Sequence, residues 1–258
     1  MKFKFLGTGG SIRIPRACCN CNICIEARKK GGPYKRLGQS LFLYDEAILF
    51  DTPEDINEEL NTYNIPYVKN IFYSHWHPDH TLGCRIIEVL NKNKVNLLNV
   101  FMPEENIEHF LNKKNPIFSY FEESGYCKII KSNKPQLFNN LTILRIKLLN
   151  NFSYAFLIIK NNKKVLYCPC HSNCIPIIKE LYNLDLLIIN LGDFNSNISS
   201  SKTSFKNDNI RIINKLMPKK TIFTHIEEFY QLSYDDYINV QSKYENIIFA
   251  FDGMDYIV

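Results

Sequence analysis

Half of the six histidines in this chain fall in one short run, Ser74-His75-Trp76-His77-Pro78-Asp79-His80-Thr81-Leu82-Gly83, with an aspartate between the second and the third. Packing does not call for that density of imidazole and carboxylate, whereas chelation does, since both are ligands for zinc, iron or manganese. In an extended backbone alternate side chains share a face, so His75 and His77 can reach one ion together. Pro78 then ends the strand, and Asp79 with His80 turns toward a second, adjacent position. The bland alternative is a polar turn rich in histidine. It fits poorly with so ordered a pattern after an apolar strand.

The elements that must hold this run can be read on either side of it. Residues 68–73 read as a buried strand and residues 85–90 as a helix, which puts the histidines on a strand-to-helix turn. Upstream, Thr52 reads as an N-cap with Pro53 at the first helical position, and Ile56, Leu60 and Tyr63 recur on the face that should cover the sheet. Residues 96–150 alternate strand-like runs with polar turns and suit a second strand layer, apart from a surface helix at 104–110 whose His109 reads as an ordinary exposed histidine. Further on, a strand at 163–167 empties into Cys168-Pro169-Cys170-His171-Ser172-Asn173-Cys174. A strand at 221–224 delivers His225. Strand ends gathered at one sheet edge are where such sites are built.

A second cluster precedes all of these. Cys19-x-Cys21-x-x-Cys24, with Cys18 alongside, has the short spacing that wraps one tetrahedral ion, and residues 25–30 can start a helix behind it. Nine cysteines so distributed read as metal ligands in a reducing compartment rather than a disulfide framework. With 258 residues, 45% of them hydrophobic, the chain can bury a full core as a single domain, 1–258. It has no stretch of roughly 20 apolar residues and no signal-like N-terminus, so a cytoplasmic location is expected. The net charge of +5 is spread over surface loops. That suits a small anionic substrate; nucleic acid and membrane are not the expected partners.

The His-x-His-x-Asp-His run resembles the signature of the metallo-β-lactamase superfamily, which implies an α/β fold, a four-layer αββα sandwich, and mostly hydrolytic chemistry. Leu6-Gly7-Thr8-Gly9-Gly10, the three cysteines followed by Ala27 and Arg28, Gln39-Ser40, Asp51 and Phe251-Asp252-Gly253-Met254 narrow the resemblance. They look like the subgroup holding the carbon–phosphorus lyase pathway phosphodiesterase and the pyrroloquinoline quinone biosynthesis B protein. The resemblance implies a structural zinc on Cys19, Cys21 and Cys24, with Glu228 at the usual fourth-ligand position and Cys18 as another donor. It also implies one or two active-site ions, zinc with manganese or iron as alternatives, on His75, His77, Asp79, His80 and His225, with Cys170 lining up where the subgroup has its bridging aspartate. The subgroup's third histidine for the first ion falls near residue 150, where this chain has Asn150 and Asn151. His171 is the other donor at hand, while Cys168 and Cys174 read better as packed thiols. For the reaction itself, the resemblance gives roles to Asp79 and to Lys202, which stands where the phosphodiesterase branch has a proton-donating histidine. The expected activity is therefore hydrolysis of a small or cyclic phosphate diester, in a protein that could be a homodimer. The alternative is a non-hydrolytic metal-binding or cofactor-biosynthesis protein with a remodelled cysteine-containing site.

Overall fold

The computed structural model describes residues 1–258 apart from 96, 106, 112–115, 193, 195–204 and 228–231. Strands β1 (Lys2–Gly7), β2 (Ser40–Leu43), β3 (Ile48–Phe50), β4 (Asn70–Phe72), β5 (Leu98–Met102) and β6 (Cys127–Lys131) form one sheet in chain order. Strands β7 (Gln136–Phe138), β8 (Leu141–Lys147), β9 (Tyr154–Lys160), β10 (Lys163–Cys168), β11 (Leu186–Asn190), β12 (Thr221–Thr224) and β13 (Ile247–Phe249) form the other, and β14 (Asp255–Ile257) returns to pair with β1. Each sheet is antiparallel on one side and parallel on the other, and β3–β4–β5–β6 and β10–β11–β12–β13 are the parallel runs.

The alternation of side chains along each strand explains why the strands are apolar on both faces. Ile48 and Phe50 point between the sheets, where they meet Phe72, Phe156, Val165 and Ile188 in one cluster. Leu49, one residue away, points outward and packs with Ile71, Val100 and the helical Ile56, Leu60 and Ile87. On the far side, Leu166, Leu187 and Phe223 pack against Ile212, Leu216 and Tyr237. The layers are therefore helix, sheet, sheet, helix, as the sequence predicts. Phe50 and Phe72 have no exposed surface, and burying each is worth roughly 1.5–3 kcal/mol.

The helices begin at positions that differ from the sequence expectation in instructive ways. Helix α1 (Asn22–Lys30) starts early enough to carry Cys24 in its first turn. Helix α2 (Ile56–Thr62) starts at Asp55 rather than Thr52. Thr52 is taken up elsewhere: its amide donates to His80 O (2.8 Å), its carbonyl accepts from Gly83 N (2.9 Å) and its hydroxyl pairs with Tyr73 OH (2.8 Å). It therefore pins the histidine turn to the sheet instead of capping a helix. Pro78 opens α3 (Pro78–Thr81) as its first residue, a place that suits a residue lacking an amide hydrogen. A further turn leads to α4 (Ile86–Leu90). Gly83 makes this packing feasible, since a Cβ there would sit 1.9 Å from the Pro53 carbonyl oxygen.

The region 96–150 is divided differently from its expected reading. β5 and β6 join the first sheet, and only β7 and β8 belong to the second. Between β5 and β6 lie α5 (Ile107–Phe110), inside the expected helix, and α6 (Ile117–Glu123), which was not expected. Helix α7 (Ile210–Leu216) and α8 (Tyr234–Gln241), the latter capped by Ser233 and Asp236, cover the second sheet. Among the described residues, no helix is long and apolar enough to cross a membrane.

Candidate metal centre

Four chain segments bring their ends to one edge of the sandwich: the turn after β4, the loop after β10, the end of β12, and the end of β3 at Asp51. His75 and His77 lie with ring centroids 4.5 Å apart, His75 and His80 4.3 Å, and His75 and His171 5.6 Å. His80 stacks with His225 at 5.6 Å. Donor atoms of His75, Cys170 and His171 lie within 4.8 Å of one another, as do those of His80, Cys170 and His225. Asp79 Oδ2 is 3.3 Å from both His80 Nε2 and His225 Nε2. The residues expected at the centre therefore converge, and His171 joins them where Asn150 does not. Asn150 spends its amide inside its own turn, accepting from Phe152 N and from Ser153 N and Oγ. Asn151 is exposed with a positive φ, and the ring that flanks His77 and His171 from this loop is Phe152, at 5.4 and 5.1 Å.

The hydrogen bonds behind these rings fix which nitrogen of each faces the centre. Asp51, fully buried, accepts from Ser74 N (2.7 Å) and Ser74 Oγ (2.7 Å) and from His80 Nδ1 (2.8 Å). The Ser74 hydroxyl has given its proton to Asp51, so its remaining capacity toward His75 Nδ1 (3.0 Å) is as acceptor. Both imidazoles thus have a proton on Nδ1 and turn Nε2 to the centre, the arrangement that orients metal-binding histidines. Nε2 of His75 and of His171 is buried with no hydrogen-bond partner, and buried Nε2 of His80 has Asp79 Oδ2 beside it at 3.3 Å. Buried imidazole nitrogens gathered around a thiol and a carboxylate are costly unless a cation collects them, so the donor set fits a metal ion.

The backbone is held in sparsely populated conformations at the same place. Asp51, His171 and His225 have φ of 60°, 57° and 52°, in the left-handed region that costs about 1–3 kcal/mol for such residues. The His225 end of β12 is fixed by Gln39, whose Oε1 accepts from His225 N (3.0 Å) and Thr224 Oγ1 while its amide donates to Tyr167 OH (3.0 Å). Beyond His225 lies Glu227, with Oε1 3.7 Å from His225 Nδ1. Glu227 accepts from Ser11 N (2.9 Å), and Gly10 leaves it room, since a Cβ there would fall 2.1 Å from its carboxyl carbon. Sequence reasoning passed over Glu227; its only signal was a carboxylate two residues from a predicted ligand.

The charges are already arranged in pairs. Burial alone would raise the Cys170 thiol, yet His171, His75, His80 and His225 around it hold it well below the ordinary range. Burial and the neighbouring His80 push His75 down to about 4, so it is a neutral donor. Burial opposes protonation of His80, but Asp79 and Asp51 raise it well above the usual imidazole range. His225, also disfavoured by burial, is pushed up to about 9 by Asp79 and Cys170. Asp79 in turn lies below the carboxylate range, because His80 and His225 outweigh its desolvation.

The remaining expected residues divide cleanly. Cys19, Cys21 and Cys24 form a second donor triplet within 4.8 Å, and hydrogen bonds from Cys21, offset by burial and helped by Arg16, lower Cys19 to about 7. Cys18 is exposed and outside that triplet. Cys168 is fully buried, raised well above the usual thiol range by burial, and donates to Cys170 O (3.1 Å), so it packs. His109 is exposed as expected but stacks on Trp76 at 5.0 Å beside the centre. Lys202 and Glu228 lie outside the described residues.

A family model described as a β-lactamase superfamily domain matches residues 46–226, more than half of the chain. The chain therefore belongs to the metallo-β-lactamase superfamily, in agreement with the sandwich and the position of the donors. Among solved structures it is similar to a diphosphatase from the PhnP family, with 21% identity, TM-score 0.80 and coverage of 99% of this chain and 96% of that one. Zinc-bound PqqB from Methylobacterium extorquens aligns at 15% identity with TM-score 0.76 over the whole of both chains. The short form of human tRNase Z aligns at 15% identity and TM-score 0.65, covering 100% and 99%. At these identities the likeness is one of fold. No curated protein matches the chain.

Proposed function

We propose that this protein is a metal-dependent hydrolase that cleaves a small or cyclic phosphate diester, with zinc as its ion. The observation that carries the reading is the convergence of His75, His77, Asp79, His80, Cys170, His171 and His225, with Nε2 of His75 and of His171 buried and without a hydrogen-bond partner. A divalent ion held by these residues would supply Lewis acidity toward a phosphoryl oxygen and lower the pKa of water toward neutrality. The chain's own residues do the rest. Asp51 and Ser74 hold the two motif histidines in one tautomer, and Gln39 holds the strand end that aims His225. Asp79, ionised and edged by two imidazoles, can accept a hydrogen bond from an attacking water and orient it. The likeness to a PhnP-family diphosphatase and the net charge of +5 both favour an anionic phosphorus substrate.

A second reading, a non-hydrolytic metal-binding or cofactor-biosynthesis protein, draws on one feature. The donor set is remodelled, with Cys170 and His171 at the centre and Asn150 bonded within its own turn, in a fold similar to that of PqqB. Turnover separates the two readings. Protein reconstituted with zinc, manganese or iron is expected to hydrolyse bis(p-nitrophenyl) phosphate or a cyclic diester, and to stop doing so in His75→Ala with His77→Ala. Absence of turnover with every ion and diester would refute the hydrolase reading.

A further inference from the structure

The family resemblance lines Cys170 up with a bridging carboxylate, and this chain has a thiol there instead. Cys170 Sγ belongs to both triplets, with His75 and His171 on one side and His80 and His225 on the other. We propose that Cys170 is a bridging thiolate shared by two metal ions, and that the centre consequently prefers thiophilic ions such as zinc to manganese. The proposal deepens the hydrolase reading and rests on its metal-binding part only.

Three features support a shared sulfur. Among the described residues, Cys170 is the one donor common to both triplets, and a thiolate has lone pairs enough for two ions. Nitrogens stand on either side of it: Nε2 of fully buried His75 lacks a hydrogen-bond partner, Nε2 of fully buried His80 has Asp79 Oδ2 at 3.3 Å, and the two residues belong to opposite triplets around the sulfur. The backbone also pays attention to this residue pair. Consecutive side chains of an extended segment point to opposite faces, so Cys170 and His171 could not both enter the centre from a continued β10. His171 at φ 57° and ψ 40° breaks that alternation. His77 stands beside the first triplet, and Asp79 Oδ2, 3.3 Å from His80 and from His225, stands beside the second. Each ion then has four protein donors with the sulfur counted twice. Soft sulfur at the shared position favours zinc or cobalt, and hard manganese is the ion that loses most.

The test needs no substrate. Cobalt(II) is titrated into protein whose other thiol cluster has been removed by Cys21→Ala and Cys24→Ala, and the near-ultraviolet thiolate-to-cobalt charge-transfer absorbance is followed. A bridging thiolate predicts that this absorbance grows through two equivalents per chain. Cys170→Asp is expected to retain two cobalt ions, lose the band, and move the zinc-over-manganese preference by about tenfold or more toward manganese. Should the double variant not fold, the difference spectrum between the wild type and Cys170→Asp removes the contribution of the cysteine loop. A band that stops growing at one equivalent, a band that survives Cys170→Asp, or an unchanged zinc-over-manganese ratio would overturn the proposal. Two-equivalent charge transfer without hydrolysis of any diester would uphold it and count against the phosphodiesterase reading alone.

Discussion

Asp51→Asn probes whether the donors are aimed by the residues behind them. Asp51 is fully buried and accepts three hydrogen bonds, two from Ser74 at 2.7 Å and one from His80 Nδ1 at 2.8 Å. An asparagine has one acceptor oxygen in place of two. If that oxygen keeps Ser74 N, the NH2 takes the place of the Oδ2 that Ser74 Oγ and His80 Nδ1 share and faces His80 Nδ1 donor to donor, a conflict relieved by moving the His80 proton to Nε2, the atom needed at the centre. Loss of such a supporting group lowers metal affinity by about 10–100-fold, which at about 1.4 kcal/mol per decade is roughly 1.4–2.8 kcal/mol. Losing the charge on buried hydrogen bonds also destabilises the fold by about 1.5–3 kcal/mol. Zinc affinity measured by chelator competition, with circular dichroism to establish folding, should show the loss in Asp51→Asn. Asp45→Asn is the control, because Asp45 pairs with Lys160 and Lys2 N away from the centre. Equal zinc affinity in folded wild type and Asp51→Asn would refute the reasoning.

Other outcomes follow from groups outside the donor set. Burial raises the Glu59 carboxyl well above its ordinary range, with Ser40 as its hydrogen-bond partner and Oε1 unpaired. The folded state therefore binds this proton more tightly than the unfolded chain, and stability from it is lost as pH rises from the ordinary carboxyl range through the folded pKa. Glu59→Gln should gain on the wild type in urea unfolding at pH 8 relative to pH 5; the same difference at both would contradict it. Gly83→Ala should cost about 1–3 kcal/mol by forcing a Cβ onto the Pro53 carbonyl, read as a lowered Tm, and an unchanged Tm would argue against this packing. Cys168→Ala should lose about 1–2 kcal/mol of stability and no metal, since the thiol packs in the core. Trp76, the sole tryptophan, lies against His77 and His109, so paramagnetic cobalt should quench its fluorescence; an unaffected signal would place the ion elsewhere.

Much of this was legible in the sequence because it is written in local order. Strands buried on both faces read as apolar runs, and β12 and the histidine turn stand where the pattern puts them. The donors His75, His77, Asp79 and His80 are legible for the same reason, being neighbours in the chain. What stayed hidden depends on distant partners. Thr52 looks like a helix cap until His80, Gly83 and Tyr73 claim its groups. His171 could be named from the sequence as a donor at hand, but its place in the centre depends on the left-handed backbone that turns it beside His75. The division of residues 96–150 between two sheets was likewise invisible, because a strand's sheet is set by its pairing and not by its own composition.

The most direct test of the metal centre is elemental analysis of protein purified without added metal, comparing the wild type with Cys170→Ala and with Cys21→Ala. Ions are expected at both the histidine centre and the cysteine loop, with Cys170→Ala depleting the first and Cys21→Ala the second. A single ion lost only in Cys21→Ala, or a metal content indifferent to Cys170→Ala, would contradict it.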